Sequence, residues 1–520
     1  MRARMPGVLL VLDGWGHAPP APGNAISEAE CPFLEGLVLG RRGVLLDASG
    51  GAVGLPEGTV GNSEIGHMVM GAGRPIEYDS LRVEQQVKSG ALRSHPLLRE
   101  ACVRLAQQRG TLHLVGLISD GRIHSDIDHI AEVLRAARAH ALERVVIHAI
   151  TDGRDVPDGT GALYLSRLNE IVKVSGVGAV ATVIGRNFAM DKSGADHLTA
   201  QAALLVLDGR AERSAPNAED ALRGGAPDGS VTATVITGAT GGPAPVRDGD
   251  AIVFMNFRSD RMAPLADMVA VLLASTARSR VRLLSLGHYD THAGIPALVP
   301  RADASGGLAD ALENSEVRSV RIAEREKFEH VTFYLNGRDA RPRQQEEHVL
   351  VPPAATGPVQ DHPEMNLRGL VQAVIEAAAR PDVGLVVANL ANMDVVGHTG
   401  AYHATRKAVE AVDRAAAQIC STAFAGGRWT LLVGDHGNAE QMLTSPTDGA
   451  PAIGYGGHTT NRVPCALISV RGERLKIPSG GEAAICSVGP TVLRLLGLPI
   501  PAAMSAPELV DDSAQPIRQG

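Results

Sequence analysis

An apolar run closed by an acid occurs near both ends of this chain, and that recurrence restricts the fold more than any other feature. Val8 to Leu12 runs into Asp13-Gly14, and Leu431-Leu432-Val433 runs through Gly434 into Asp435-His436-Gly437. Short, continuously apolar runs of this kind suit strands buried on both faces of a parallel sheet. Open α/β sheets gather ligands at the C-terminal ends of such strands. Two matching strands so far apart in sequence can therefore deliver carboxylates to one sheet edge, with other structure inserted between them. A third run, Gly384 to Leu390, leads into Ala391-Asn392-Met393-Asp394-Val395-Val396-Gly397-His398.

The intervening segment, from about Tyr78 to Pro300, has an α/β alternation of its own. Leu112 to Ile118, Val145 to Ile150, Val177 to Ile184 and Ala251 to Phe254 read as strands, and Ile130 to Ala141 reads as an amphipathic helix. The 520 residues leave room for two or three domains at roughly 150 residues each. The expected division is one discontinuous domain of residues 1–78 and 301–520 and an inserted domain of residues 79–300, with hinges near Arg74 to Asp79 and Pro300 to Ser305. The Gly/Pro/Asp-rich patch Gly224 to Asp250 reads as a surface excursion containing a β-like run, Val231 to Ile236. The polar tail after Pro507 reads as loose.

Bulk properties exclude several classes. A net charge of −8 and a pI near 6.1 give no clustered positive charge for nucleic acid or an anionic membrane. No stretch approaches the ~20 apolar residues of a membrane span. Five scattered cysteines without a CxxC pair, and no N-terminal apolar core before a cleavage site, point to a reducing cytoplasm.

The stretch Val60 to Arg74 places Ser63 in a glycine-punctuated turn before an apolar run, where its hydroxyl is a candidate nucleophile. Around it stands a candidate metal-ligand set: Asp13, Asp394, His398, Asp435, His436 and His458. Carboxylates with imidazoles suit Mn²⁺, Zn²⁺ or Mg²⁺. Asp394 and His398, four apart, share a face of one helical turn. Asp435 and His436 are adjacent and point differently, which suits ligation of two ions, and His458 lies in a glycine-rich loop. Taken singly, an acid after a strand is more often a helix cap and a histidine more often a packed side chain; the combination at several strand ends is what favours metal. Two ions about 4 Å apart clamp a phosphoryl group and lower the pKa of a bound hydroxyl.

A second constellation, in the inserted segment, is rich in guanidinium groups. Ser119 to Ser125, with Arg122 and His124, and Thr151 to Asp155, with Arg154, both follow apolar strands. Arg186 follows a third, and Arg258 and Arg261 are three apart, on one face if helical. Converging arginine forks imply a small polyanionic substrate.

In the order in which they occur, Asp13-Gly14, Gly61-Asn62-Ser63-Glu64, Thr151 to Pro157, Phe257 to Arg261, Ile322-Ala323-Glu324-x-x-Lys327, Asp394 to His398, Asp435-His436-Gly437-Asn438 and His458 resemble the motifs of the cofactor-independent (2,3-bisphosphoglycerate-independent) phosphoglycerate mutases. The resemblance spans nearly the whole chain. It implies an α/β fold: an alkaline-phosphatase-like three-layer domain with an inserted α/β phosphotransferase domain. It implies interconversion of 3- and 2-phosphoglycerate through a phosphoserine at Ser63 in a monomeric enzyme that needs no 2,3-bisphosphoglycerate. One Mn²⁺ is then held by Asp13, Ser63, Asp435 and His436, and the other by Asp394, His398 and His458; Mg²⁺, Zn²⁺ or Co²⁺ are possible in their place. Lys327 neutralises the phosphoryl group. His124, Arg154, Asp155, Arg186, Lys192, Arg258 and Arg261 hold the glycerate, with Asp155 as acid/base.

The sequence departs from the family pattern after Gly185-Arg186. The usual Tyr-Tyr-Ala-Met-Asp-Arg-Asp-x-Arg-Trp is Asn187-Phe188-Ala189-Met190-Asp191-Lys192-Ser193-Gly194-Ala195-Asp196, so Lys192 replaces an arginine fork and the Arg-Trp pair is missing. Asn336-Gly337-Arg338 stands for Asn-Gly-Gly. These changes raise an alternative substrate, a phosphoryl or phosphonyl group on another glycerate-like acid in phosphonate or secondary metabolism.

Overall fold

The computed structural model describes residues 5–39, 43–191, 193–238, 244–444, 453–477 and 483–511. The chain divides into two compact units, one of Met1–Glu77 with Asp303–Gly520 and one of Tyr78–Ala302.

The first unit is built on a seven-stranded sheet in the order Glu346–Val351, Arg318–Glu324, Val383–Leu390, Gly7–Leu12, Trp429–Val433, Val463–Ile468, Gly43–Leu46. The first five strands are parallel; Val463–Ile468 runs antiparallel to them, and Gly43–Leu46, antiparallel to Val463–Ile468, runs with them again. Gly7–Leu12 is central and buried throughout, as a strand with two covered faces must be. Its Val8, Leu10 and Leu12 pack with helices Pro32–Leu39, Leu367–Ala379 and Tyr402–Ala425. Leu9 and Val11, also buried, turn the other way, where helices Ser63–Ala72, Leu308–Asn314 and Val488–Leu496 pack together. This is a three-layer α/β sandwich. The tail differs from expectation as far as Asp511: Leu509 is buried and Val510–Asp511 pairs with Arg474–Leu475. Residues 512–520 lie outside the described residues.

The second unit has an eight-stranded sheet in the order Ala297–Val299, Arg282–Gly287, Ala251–Phe254, Leu112–Leu117, Val145–Thr151, Ala179–Gly185, Thr234–Ile236, Arg213–Ala215. The pairings are parallel except that between Ala179–Gly185 and Thr234–Ile236. One face buries Leu112, Leu114 and Ile147, and the other Val115, Leu117 and Ile150. The helix expected over Ile130 to Ala141 is Asp128–Ala139, because Asp126 caps its first turn through the Asp128 N–H and Ala141 turns left-handed at φ 53°. The surface excursion is not one throughout: Val231, Ala233, Val235 and Ile236 are buried, and the end of the run, Thr234–Ile236, forms a sheet strand. Residues 239–243 lie outside the described residues.

All five cysteines are free and buried. Among the described residues no helix is long and apolar enough to cross a membrane.

Candidate active site

Sheet register brings the acids of the first unit together. Leu12 pairs with Leu390 and Val11 with Val433, so Asp13, Asp435 and, in the first turn of the helix Asn392–Gly397, Asp394 reach the same C-terminal edge. The approach is close enough to need glycine. Gly14 has φ 78°, its N–H donates to Asp435 Oδ1 at 3.1 Å, and a Cβ there would stand 3.0 Å from the Asp394 nitrogen. Ser63 is not in a turn: it opens the helix Ser63–Ala72, whose start is capped by the Asn62 side chain accepting from the Ile65 N–H. A hydroxyl there sits at the positive end of the helix, a favourable place for an anion.

Lys327, in the turn after the strand Arg318–Glu324, gathers these groups. Its buried ammonium donates to Asp13 Oδ1 at 2.8 Å, Ser63 Oγ at 2.6 Å and Asp394 Oδ2 at 2.7 Å. Ser63 Oγ is 3.2 Å from Asp13 Oδ1 and 2.9 Å from His436 Nε2.

The edge carries more anionic and lone-pair character than its own cations satisfy. Asp435 Oδ2 is buried with no hydrogen-bond partner. Burial and the neighbouring Asp13 carboxylate push the Asp435 carboxyl up to about 7, against the opposing pull of His436 and Lys327. Burial disfavours the charged form of Asp13 too, but Lys327, His436 and His67 outweigh it and hold Asp13 well below the ordinary range. Burial would likewise lower His436, yet Asp435, Asp13 and Asp394 raise it to about 9. A few ångströms away, His398 Nδ1 lies 2.7 Å from the Gly456 carbonyl and His458 Nδ1 2.8 Å from the Gly61 carbonyl. A carbonyl only accepts, so each ring carries a proton on Nδ1 and in its neutral form a lone pair on Nε2. Those two Nε2 atoms face each other at 3.1 Å, each 3.3 Å from Asp394 Oδ1. Two lone pairs and a carboxylate oxygen so disposed fit a divalent cation, and Nδ1–H to carbonyl bonds are how ligating histidines are commonly oriented. Asp394, His398 and His458 form one ligand-competent group; Asp13, Asp394 and His436 form a second and Asp13, His67 and Asp435 a third.

In the second unit the loops after the strands converge on a buried ion cluster. Asp155 Oδ2 is 2.7 Å from His124 Nδ1, and Arg186 Nη1 reaches Asp155 Oδ1 at 2.8 Å and Asp152 Oδ1 at 2.5 Å. Asp152 also accepts from Ser119 Oγ at 2.5 Å and from the backbone N–H groups of Arg154 and Asp155. Burial would raise the Asp155 carboxyl, but His124 and Arg186 lower it overall, so it stands ionised. Arg258 and Arg261 are not held on a helical face. Asp260 joins them instead, 2.8 Å from Arg258 Nε and 3.3 Å from Arg261 Nε, in an irregular turn whose Phe257 N–H donates to the His124 carbonyl at 2.9 Å. The Arg154 side chain is exposed on its loop. Lys192 lies outside the described residues.

Several residues in these clusters carried no role in the sequence reading. Asp152 anchors the second unit's cluster from the position after a strand, where Asp13 stands in the first unit. His67 lies one helical turn beyond Ser63, a spacing that could have exposed it. Glu440, buried, joins the Asp435 loop to the His458 loop by accepting from the Asn438 N–H, Thr459 Oγ1 and Asn461 Nδ2; nothing local in the sequence signals that role.

The sandwich and its ligand-rich strand ends define a metalloenzyme, and residues 5–500 match the Metalloenzyme superfamily. The chain is 53% identical to the 2,3-bisphosphoglycerate-independent phosphoglycerate mutase of Streptomyces coelicolor, over 97% of this chain and 98% of that protein. It is 36% identical to 2,3-bisphosphoglycerate-independent phosphoglycerate mutase 1 of Methanosarcina acetivorans, over 98% and 99%. A crystal structure of Leishmania mexicana phosphoglycerate mutase at low cobalt concentration superposes with a TM-score of 0.70 at 28% identity, covering 98% of both chains. The chain belongs to the 2,3-bisphosphoglycerate-independent phosphoglycerate mutase family. The phosphonate alternative is not favoured by these relatives.

Proposed function

We propose that the chain interconverts 3-phosphoglycerate and 2-phosphoglycerate by passing the phosphoryl group through Ser63. The observation that carries this reading is that Ser63 Oγ lies 2.6 Å from the buried Lys327 ammonium, 3.2 Å from Asp13 Oδ1 and 2.9 Å from His436 Nε2. Asp13, Ser63, Asp435 and His436 would hold one divalent ion and Asp394, His398 and His458 the other, with Mn²⁺ the metal we favour and Mg²⁺, Zn²⁺ or Co²⁺ as substitutes. Such ions lower the pKa of the serine hydroxyl and offset charge on the transferring group. Lys327 holds the phosphoryl oxygens. Ser63 Oγ gives up its proton and forms a bond to phosphorus as the bond from phosphorus to the glycerate oxygen breaks, and that oxygen takes up a proton. In the return step the other glycerate hydroxyl loses its proton and takes the phosphoryl group from Ser63, whose oxygen regains a proton.

Residues 79–300 act as the substrate-holding domain in this reading, and residues 1–78 with 301–520 as the phosphatase-like domain. His124, Arg154, Asp155, Arg186, Lys192, Arg258 and Arg261 hold the glycerate, whose carboxylate suits the arginine forks. Asp155, ionised and steadied by His124 and Arg186, moves the hydroxyl protons. We assign the protein as a cytoplasmic monomer acting on this small phosphorylated acid without 2,3-bisphosphoglycerate, and without nucleic acid or membrane as partner. Incubation of the pure protein with Mn²⁺ and 3-phosphoglycerate alone, followed by phosphorus NMR, should show the 2-isomer with no free phosphate. Absence of turnover at high enzyme concentration, or a requirement for added 2,3-bisphosphoglycerate, would sink the proposal.

A further inference from the structure

Beneath the nucleophile, His67 and Asn389 form a fully buried polar pair between Ser63 and Asp13. His67 lies on the helix that Ser63 opens, and Asn389 on the strand beside Gly7–Leu12, opposite Val11. His67 Nδ1 is 2.8 Å from the Ser63 carbonyl oxygen, which only accepts, so the ring donates there. Its Nε2 is then the acceptor for Asn389 Nδ2 at 3.1 Å. The same amide nitrogen donates its other hydrogen to Asp13 Oδ2 at 2.7 Å. Both ring nitrogens are thus engaged, and this separates His67 from His398 and His458, whose Nε2 atoms point at one another. Although His67 groups with Asp13 and Asp435 by distance, its hydrogen bonds leave it no lone pair for a metal.

The consequence falls on Asp13. With Oδ2 held by Asn389, only Oδ1 faces Ser63 Oγ and Lys327 Nζ. At its other end the chain of bonds ties the Ser63 carbonyl, and so the start of the helix that presents its hydroxyl. We infer that His67 is a positioning residue, which through Asn389 selects the Asp13 oxygen offered to the site and through the Ser63 backbone fixes the nucleophile. The inference rests on the metal-bearing reading above.

The test titrates Mn²⁺ into chelator-treated full-length protein, followed by electron paramagnetic resonance, with turnover of 3-phosphoglycerate measured in parallel. His67→Ala should weaken one of two Mn²⁺ sites by about 10- to 100-fold, the usual cost of losing a partner of a metal ligand. The other site should hold within about twofold, since Asp394, His398 and His458 do not depend on this pair. KM should stay unchanged while kcat falls. His67→Gln, which retains an acceptor where Nε2 stood, should recover most of the Mn²⁺ affinity, whereas Asn389→Leu should reproduce the loss. Wild-type affinity at both sites in His67→Ala would overturn the inference, as would equal weakening of both or a His67→Gln variant as impaired as His67→Ala while melting like the wild type. A wild-type protein that binds no Mn²⁺ would instead bring down the metal reading, and this inference with it.

Discussion

At the strand ends of the first unit Asp13, Ser63, Lys327, Asp394, Asp435 and His436 are all buried; in the second unit Asp152 and Arg186 are buried and Asp155 is half-buried, but Arg154, Arg258 and Asp260 are exposed. The same device, polar groups carried on loops after parallel strands, therefore works in two environments. Buried carboxylates in excess of their cations are costly, and relief of that cost favours binding of a cation at the first edge. In the second unit Arg186, Arg258 and Arg261 rest on acids of that unit, and at the exposed rim exchanging such an acid for a substrate oxygen costs little. On the reading proposed above, one region activates and the other captures and releases.

Removing the nucleophile should give the largest effect. Ser63→Ala should cut kcat by about 10⁴-fold or more, as loss of a nucleophile does elsewhere, while the affinity of the second unit for phosphoglycerate, read by calorimetry, stays near wild type. Retention of a tenth of the wild-type rate would remove Ser63 from its role and erase the division of labour.

Arg186→Lys tests the buried part of the second cluster. Arg186 reaches both Asp152 and Asp155 through Nη1; lysine keeps the charge but on a shorter side chain without the planar guanidinium that holds that nitrogen in place, so kcat/KM should fall by about 10- to 100-fold, the worth of one or two charge-assisted hydrogen bonds. Unaltered kinetics would show that the cluster serves only the fold.

The two regions should also respond to pH with opposite sign in the metal-free protein. Asp435, raised to about 7, and His436, raised to about 9, both stand above their unfolded values of about 3.9 and 6.5. What each contributes is present below its unfolded value and is lost as pH rises, from about 4 to 7 for the first and 6.5 to 9 for the second. Asp155 is lowered, so its contribution is present above about 3.9 and is lost only as pH falls further. The two tryptophans, Trp15 and Trp429, both lie in the first unit, so their fluorescence reads that unit alone. With chelator present its melting temperature should fall between pH 6 and 9, and saturating Mn²⁺ should abolish the fall. A melting temperature that climbs over that range without metal would contradict the charge balance drawn for the edge.

What could be read from the chain alone divides along the same line. Val8–Leu12, Gly384–Leu390 and Leu431–Val433 announce themselves because a strand buried on both faces is almost wholly apolar, Asn389 being the one polar residue among them, and the acids after them follow by position. The run Val231–Ile236 was harder, since its glycine- and proline-rich flanks speak for surface while its burial depends on pairing with Ala179–Gly185. Ser63 reads as a turn residue because glycines surround it; only the Asn62 cap shows that a helix starts there. His67, Asn389 and Glu440 stayed hidden because their roles lie in contacts to residues distant in sequence or to backbone atoms, which carry no side-chain pattern. Arg258 and Arg261 suggested a helical pair by spacing, whereas Asp260 between them is what joins them.

Asp260 gives the smallest expected effect and the finest test of the contrast. It is exposed, and its pairs with Arg258 and Arg261 are of the surface kind, worth at most about 1 kcal/mol in stability. Asp260→Ala should therefore leave the melting temperature nearly unchanged. Its kinetic effect turns on whether the carboxylate competes with substrate or aligns the guanidinium groups through their Nε atoms. If it competes, KM for phosphoglycerate should fall slightly, because the arginines no longer give up a partner on binding. If it aligns them, KM should rise by about 10-fold at most, the range for one loosened charge-assisted bond. Easy exchange at an exposed rim predicts the first result, and a larger loss, comparable to that of Arg186→Lys, would mean that the rim of the second cluster is as constrained as its buried centre.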